Sequence, residues 1–287
     1  MEEKIIKKYV KEISDKVTEE IYESKELITS VIELVYDVED IFLYELVLRK
    51  KNKGENAKES IIIQYFLDFA KKSKEFLVSI LLCSRISTAV LLRNIIENYV
   101  LLYYIFISEE NIVMRYLLWD TIKGIPTNKI ENEEVKNIVE KVKAEFEKNA
   151  KENLNTQRLA EEQINKTIQR IYKSSYGWCY ELVPYNKRLN FNNICKSLEL
   201  DEVYKDFDYL SSTVHSNEMA QKMFNNVYFY DHVLVYIQMY LEYVEAYLTI
   251  YLEIYDPNED KLNKLEEQIL TVKSEQMKVA KEMKIIE

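Results

Sequence analysis

Glycine and proline are almost missing from this sequence. Three of each occur in 287 residues, roughly a fifth to a sixth of average usage. They stand at Gly54, Gly124, Pro126, Gly177, Pro184 and Pro257, and the long stretches between them hold no hairpin dipeptide. A β-sheet protein needs turns every 8–12 residues or so, and Gly, Pro, Asn and Asp build them. The scarcity therefore excludes a sheet fold and predicts an all-α chain, a bundle of long helices ending in a coiled-coil-like helix.

Other absences exclude classes of chemistry. The three cysteines, Cys83, Cys179 and Cys195, are odd in number and share no metal spacing, so they read as free thiols in a reducing compartment. There is no glycine-rich phosphate loop and no dinucleotide fingerprint. The two histidines, His215 and His232, have no Glu three residues before them, which excludes the Glu-x-x-His pairs of a di-iron bundle. No metal and no cofactor is expected. The N-terminal residues are charged throughout and lack the apolar core of a secretion signal. The two most apolar stretches are broken by Arg85, Arg93 and Glu97, and by Asp231, His232, Glu242 and Glu245, which a membrane span would not carry. These features predict a cytoplasmic protein with no membrane partner. The net charge of −10 and pI near 5.1 argue against non-specific DNA binding, and the basic run Arg49–Lys53 reads as a solvated helix end.

What is present is helical periodicity. Residues 1–55 repeat apolar side chains at three- and four-residue spacing, as in Ile6, Val10, Ile13 and Val17, then Ile28, Ile32, Val35 and Val38. Residues 56–255 form the predicted core. A helical pattern runs from Ser60 to Ile107 with a break near Lys71–Lys74, and another long helix spans about Val227 to Tyr255. Within the core, 130–175 is rich in Glu, Lys, Asn and Gln, and reads as a mobile insertion, either two solvent-facing helices or one helical hairpin turning near Asn149–Asn155. Residues 256–287 carry the clearest local pattern. Leu262, Ile269, Gln276 and Met283 recur every seven residues, as do Leu265, Val272, Val279 and Ile286. That a/d seam predicts a homo-oligomer through residues 257–287; the alternative is an amphipathic helix packed back on its own chain.

Two polar patches are candidates for function. In LLRNIIENYVLLYYI, residues 91–105, Arg93, Asn94, Glu97 and Asn98 share one arc of about 140° on an otherwise apolar helix. A helix apolar nearly all round is buried. Arg93 and Glu97 therefore form either an internal salt bridge or part of a pocket for a phosphate or other anion. The second patch, DYLSSTVHSNEMA, residues 208–220, sets Tyr209, Ser212 and His215 at helical spacings. His215 is either a hydrogen-bonded structural residue or a general acid or base. His232, in YFYDHVLVY, reads as resting on an aromatic wall.

The R-x-x-x-E helix and the later Tyr, Ser and Val-His segment resemble a family of uncharacterised all-helical bacterial proteins, a domain of unknown function. The matching residues are Arg93, Glu97, Tyr209, Ser212 and His215, over about residues 60–250, with Trp178 and Phe191 to Leu200 similar to the stretch before the second patch. A more distant resemblance is to the HEPN superfamily of helical nucleases and nucleotide-binding modules. Arg93-Asn94 starts its motif, but Asn98 stands where the histidine belongs. That likeness implies a defence or toxin-type module with a metal-independent ribonuclease site. Arg93 and His215 would be catalytic, and Glu97, Asn98, Tyr209 and Ser212 would line a cleft for RNA or a nucleotide. The other reading is a non-catalytic interaction or ligand-sensing protein in which these residues are structural.

Overall fold

A computed structural model describes residues 25–45, 57–82, 84–124, 130–156, 159–215, 229–256 and 258–282. The predicted helices before residue 25, the basic run Arg49–Lys53, Cys83, and the seam positions Met283 and Ile286 lie outside them. Among the described residues the chain is all-α, with no strand. The helices are α1 (Lys25–Glu39, continued by a π turn, Asp40–Glu45), α2 (Ala57–Leu81), α3 (Arg85–Ile107), α4 (Glu110–Gly124), α5 (Glu133–Thr156) and α6 (Glu161–Lys173). A 3-10 segment, Gly177–Leu182, leads to α7 (Phe191–Ser197), α8 (Asp201–His215), α9 (Phe229–Ile254) and α10 (Glu259–Glu282).

The predicted break at Lys71–Lys74 does not occur. Ion pairs Lys72–Asp68 and Lys71–Glu75, each one turn apart, brace the helix there. The helix runs on to Leu81 instead, and the Ser84 carbonyl accepts the Thr88 amide at the start of α3. By length and composition α3 could cross a membrane, with a mean hydropathy of 1.4. It carries Arg85, Arg93 and Glu97, however, and Leu92, Ile95, Ile96 and Val100 are fully buried in the protein.

The chain divides into two compact units. The first comprises Met1–Gly54, Ile63–Tyr99 and Asp206–Glu287; the second comprises Glu55–Ile62 and Val100–Lys205. Tyrosine and phenylalanine build the core of the first. Phe42 stacks on Phe66 at 5.3 Å, Phe69 on Tyr247 at 4.0 Å, and Phe76 on Tyr240 at 4.5 Å. Such ring pairs add about 0.5–1.5 kcal/mol each beyond the area they bury.

The tail belongs to this unit. Leu265, Ile269 and Val272 are buried, and α10 packs chiefly along α1, whose stripe Leu27, Val31, Leu34 and Val38 is likewise buried. Polar contacts flank that seam. Lys264 pairs with Asp37 at 2.5 Å and Lys261 with Asp40 at 2.9 Å. Gln268 donates to the Ser30 carbonyl at 2.9 Å, and Gln276, the polar seam position, donates to the Leu234 carbonyl at 2.7 Å. Leu265, Ile269 and Val272 of the expected seam are thus covered within the chain, while Leu270 and Met277 are exposed.

The charged segment 130–175 lies in the second unit, where it supplies α5 and α6. Val139, Phe146, Ala150 and Leu154 of α5 and Ile164, Ile168 and Ile171 of α6 are buried. Those apolar residues are sparse, but seven- and four-residue spacing places them on single stripes. Gly177 fixes the chain at the end of α6, since a Cβ there would lie 2.0 Å from Cζ2 of Trp119 and 2.4 Å from the Ile171 carbonyl oxygen.

Candidate functional site

The polar arc of α3 lies in the first unit. The Arg93 guanidinium lies over the ring of Phe207 in α8, 4.6 Å from its centroid. Its Nε is buried with no hydrogen-bond partner, and among the described residues no ion pair joins Arg93 to Glu97. The expected internal bridge is therefore replaced by a cation–π contact, worth about 0.5–2 kcal/mol. The order of the two residues contributes, because an acid preceding a base by four is the better arrangement along a helix. Glu97 is engaged elsewhere. Asn98 donates from Nδ2 to Oδ2 of Asp68 at 2.6 Å, and Asp68 also holds Lys72. That chain ties α3 to α2.

In α8, Asp206 accepts a hydrogen bond from the Tyr243 hydroxyl at 3.1 Å. The Ser212 hydroxyl donates to the Tyr209 carbonyl one turn back, at 2.7 Å. The Tyr209 hydroxyl stands 3.3 Å from Nδ1 of His232. Tyr247, fully buried, donates to the Ile95 carbonyl at 3.3 Å. Burial holds the Tyr247 hydroxyl well above its ordinary pKa, with the charge of Asp68 adding to the effect. The Tyr243 hydroxyl is raised by burial and then by Asp206. Phenols so placed stay protonated near neutral pH and serve as donors, not as bases.

Helices α3 and α8 run in antiparallel register where Arg93 meets Phe207. Arg93 is level with Phe207, whereas Arg85 and Thr213 both adjoin Tyr236. His215 closes α8, eight residues beyond Phe207, a rise of about 12 Å; its side chain lies outside the described residues. A site using both Arg93 and His215 would have to bridge that rise. Among the described residues no three of His, Cys, Asp and Glu gather closely enough to hold a metal ion.

The matched segment of the chain covers both patches. This chain belongs to the family of unknown function DUF5677. The match runs over residues 59–227, ending earlier than the expected limit near 250. It takes in Arg93, Glu97, Asn98, Tyr209, Ser212 and His215, and leaves out α1, His232 and α10. No curated protein and no solved structure matches the chain.

The DUF5677 segment also contains an ion pair that sequence reasoning missed. Arg115 of α4, 3% exposed, meets both carboxylate oxygens of Glu181 at 3.1 Å. Its guanidinium also lies 5.1 Å from the Tyr180 ring and 5.8 Å from that of Phe146. Burial, with the Cys179 and Glu181 charges, pushes neighbouring Tyr104 up to about 12. The signal was a lone Arg115 among apolar neighbours; its partner, 66 residues away, has no local signature.

Proposed function

We propose that this DUF5677 protein is a non-catalytic, ligand-sensing helical module in which Arg93, Glu97, Asn98, Tyr209 and Ser212 are structural, with Arg93, Asn98 and Tyr209 reaching neighbouring helices. The Arg93 guanidinium lying on Phe207 carries this reading. A metal-independent ribonuclease needs an arginine facing the scissile phosphate and a histidine within hydrogen-bond or one-water reach of the same point. Here the guanidinium is taken up by a ring, and Asn98 is occupied by Asp68. The test incubates purified protein with end-labelled RNA, with and without chelator. We expect no cleavage, and no difference between wild type and Arg93→Ala or His215→Ala. Chelator-resistant cleavage lost in His215→Ala would overturn this reading in favour of a HEPN-like toxin or defence ribonuclease. One observation favours that second reading: the phenol of Tyr209, 38% exposed, and the imidazole of His232 stand together. The assay therefore includes His232→Ala.

A further inference from the structure

We infer that the second unit carries a nucleotide-binding groove, with Arg170, Lys173, Lys187 and Arg188 on the phosphates and tyrosine rings on the bases. The inference rests on the ligand-sensing reading and names the ligand class. The groove lies between the end of α6 and the segment that follows the 3-10 turn, with a volume of about 1320 Å³. A pocket for one small molecule holds about 300–1,000 Å³, so this one has room for a few linked nucleotides.

The groove gathers four cations, Arg170, Lys173, Lys187 and Arg188. On α5 and α6, Lys136 pairs with Glu133, Lys148 with Glu152 and Lys166 with Glu162 along their own helices. Among the described residues, none of the four groove cations forms an ion pair. Glu181, the acid on the lining, is already neutralised by Arg115. Four cations without an ion pair, Arg170 donating only to the Thr167 hydroxyl at 3.3 Å, on one groove of a chain with net charge −10 mark a local anion site.

The walls are tied and aromatic. Ser174 donates from its hydroxyl to the Leu189 carbonyl at 3.3 Å, and a turn from the Pro184 carbonyl to the Lys187 amide at 2.9 Å presents Lys187 and Arg188 together. Tyr185, 39% exposed, offers a ring at the mouth. Tyr180 on the wall is 8% exposed and packs against Phe146 and the Arg115 guanidinium. A cationic track beside stacking rings is how proteins hold single strands without reading their sequence.

The test measures fluorescence anisotropy of a labelled oligouridylate of about ten nucleotides with the full chain, and competition by a mononucleotide. Four phosphate contacts on a single strand predict a salt slope near −2.8, so affinity should fall about 50-fold between 50 and 200 mM salt. Lys187→Glu with Arg188→Glu, both exposed, should weaken binding at least about ten-fold, and Tyr185→Ala at least about five-fold. Lys166→Glu, the same charge change on α6 outside the groove, should leave binding unchanged. Tight binding of the oligomer with weak competition assigns the groove to a strand; equal competition assigns it to a free nucleotide. Failure of both to bind, or wild-type affinity in the Lys187/Arg188 double variant, overturns the inference. RNA cleavage is read separately on a gel and bears on the proposed function, not on the groove.

Discussion

Removing the carboxylate of Glu181 is the sharpest test of what holds the second unit together. Three hydrogen bonds of 3.1 Å join it to Arg115, whose side chain is 4% exposed while that of Glu181 is 29% exposed. At that distance and an effective dielectric near 20 the attraction is about 5 kcal/mol, partly offset by desolvation. In Glu181→Ala the cation stays buried with only the Tyr180 and Phe146 rings beside it, and we expect a loss of about 3–4 kcal/mol. Arg115→Met should cost less, about 1–2 kcal/mol, because the better-exposed carboxylate can rehydrate. The double variant Arg115→Met with Glu181→Leu should return close to wild type. Both tryptophans of the chain, Trp119 and Trp178, lie in this unit. Their fluorescence during urea unfolding therefore follows it selectively. At about 2–4 °C per kcal/mol, Glu181→Ala should melt roughly 6–16 °C lower. A midpoint within a degree of wild type, or a double variant as weak as Glu181→Ala, would refute the assignment.

Gly177→Ala should destabilise by at least about 1–3 kcal/mol, because its Cβ would meet the Trp119 ring at 2.0 Å; a wild-type tryptophan melting curve would contradict this. Leu265→Ala, at a fully buried position of α10, should cost about 2–5 kcal/mol. Deleting α10 should produce aggregation rather than a smaller, well-folded species, which light scattering would distinguish. Alkaline pH should unfold the protein through its buried tyrosines. Burial raises Tyr104 to about 12 and raises Tyr240 and Tyr247 in the same direction, while an unfolded tyrosine ionises near about 10. Between those values the unfolded chain sheds protons that the folded one keeps, so stability is intact below pH ~10 and falls as pH rises toward ~12. Tyrosinate absorbance should climb together with loss of helical dichroism. A full rise while the helices persist would sink the argument.

The all-α class was legible because a shortage of glycine and proline acts everywhere along the chain. Burial of α3 was legible from its own composition. The seam of α10 shows the limit of such reading. A seven-residue repeat says that one face is covered, but the pattern is the same whether the cover is a second copy or α1 of the same chain. Gln276 reads as a polar seam position in either case; only the Leu234 carbonyl reveals its partner. The same holds at the candidate site. Arg93 was readable as a charge on an otherwise apolar helix, yet the choice between Glu97 four residues on and Phe207 on a distant helix depends on interhelical register, which no local pattern encodes. Tyr209 reaching His232 and Arg115 reaching Glu181 were illegible for the same reason.

The pairing of α1 with α10 has a consequence for how the chain is made. Lys264 and Asp37, which meet across that contact, are 227 residues apart in sequence. At about 5–20 residues per second, a ribosome needs roughly 11–45 s to deliver the second after the first. For that interval Leu27, Val31, Leu34 and Val38 have no α10 to cover them. All of the second unit has been synthesised by residue 205, long before α10 emerges. The first unit therefore completes its core last, and its nascent apolar stripe is where a chaperone would act or aggregation would begin.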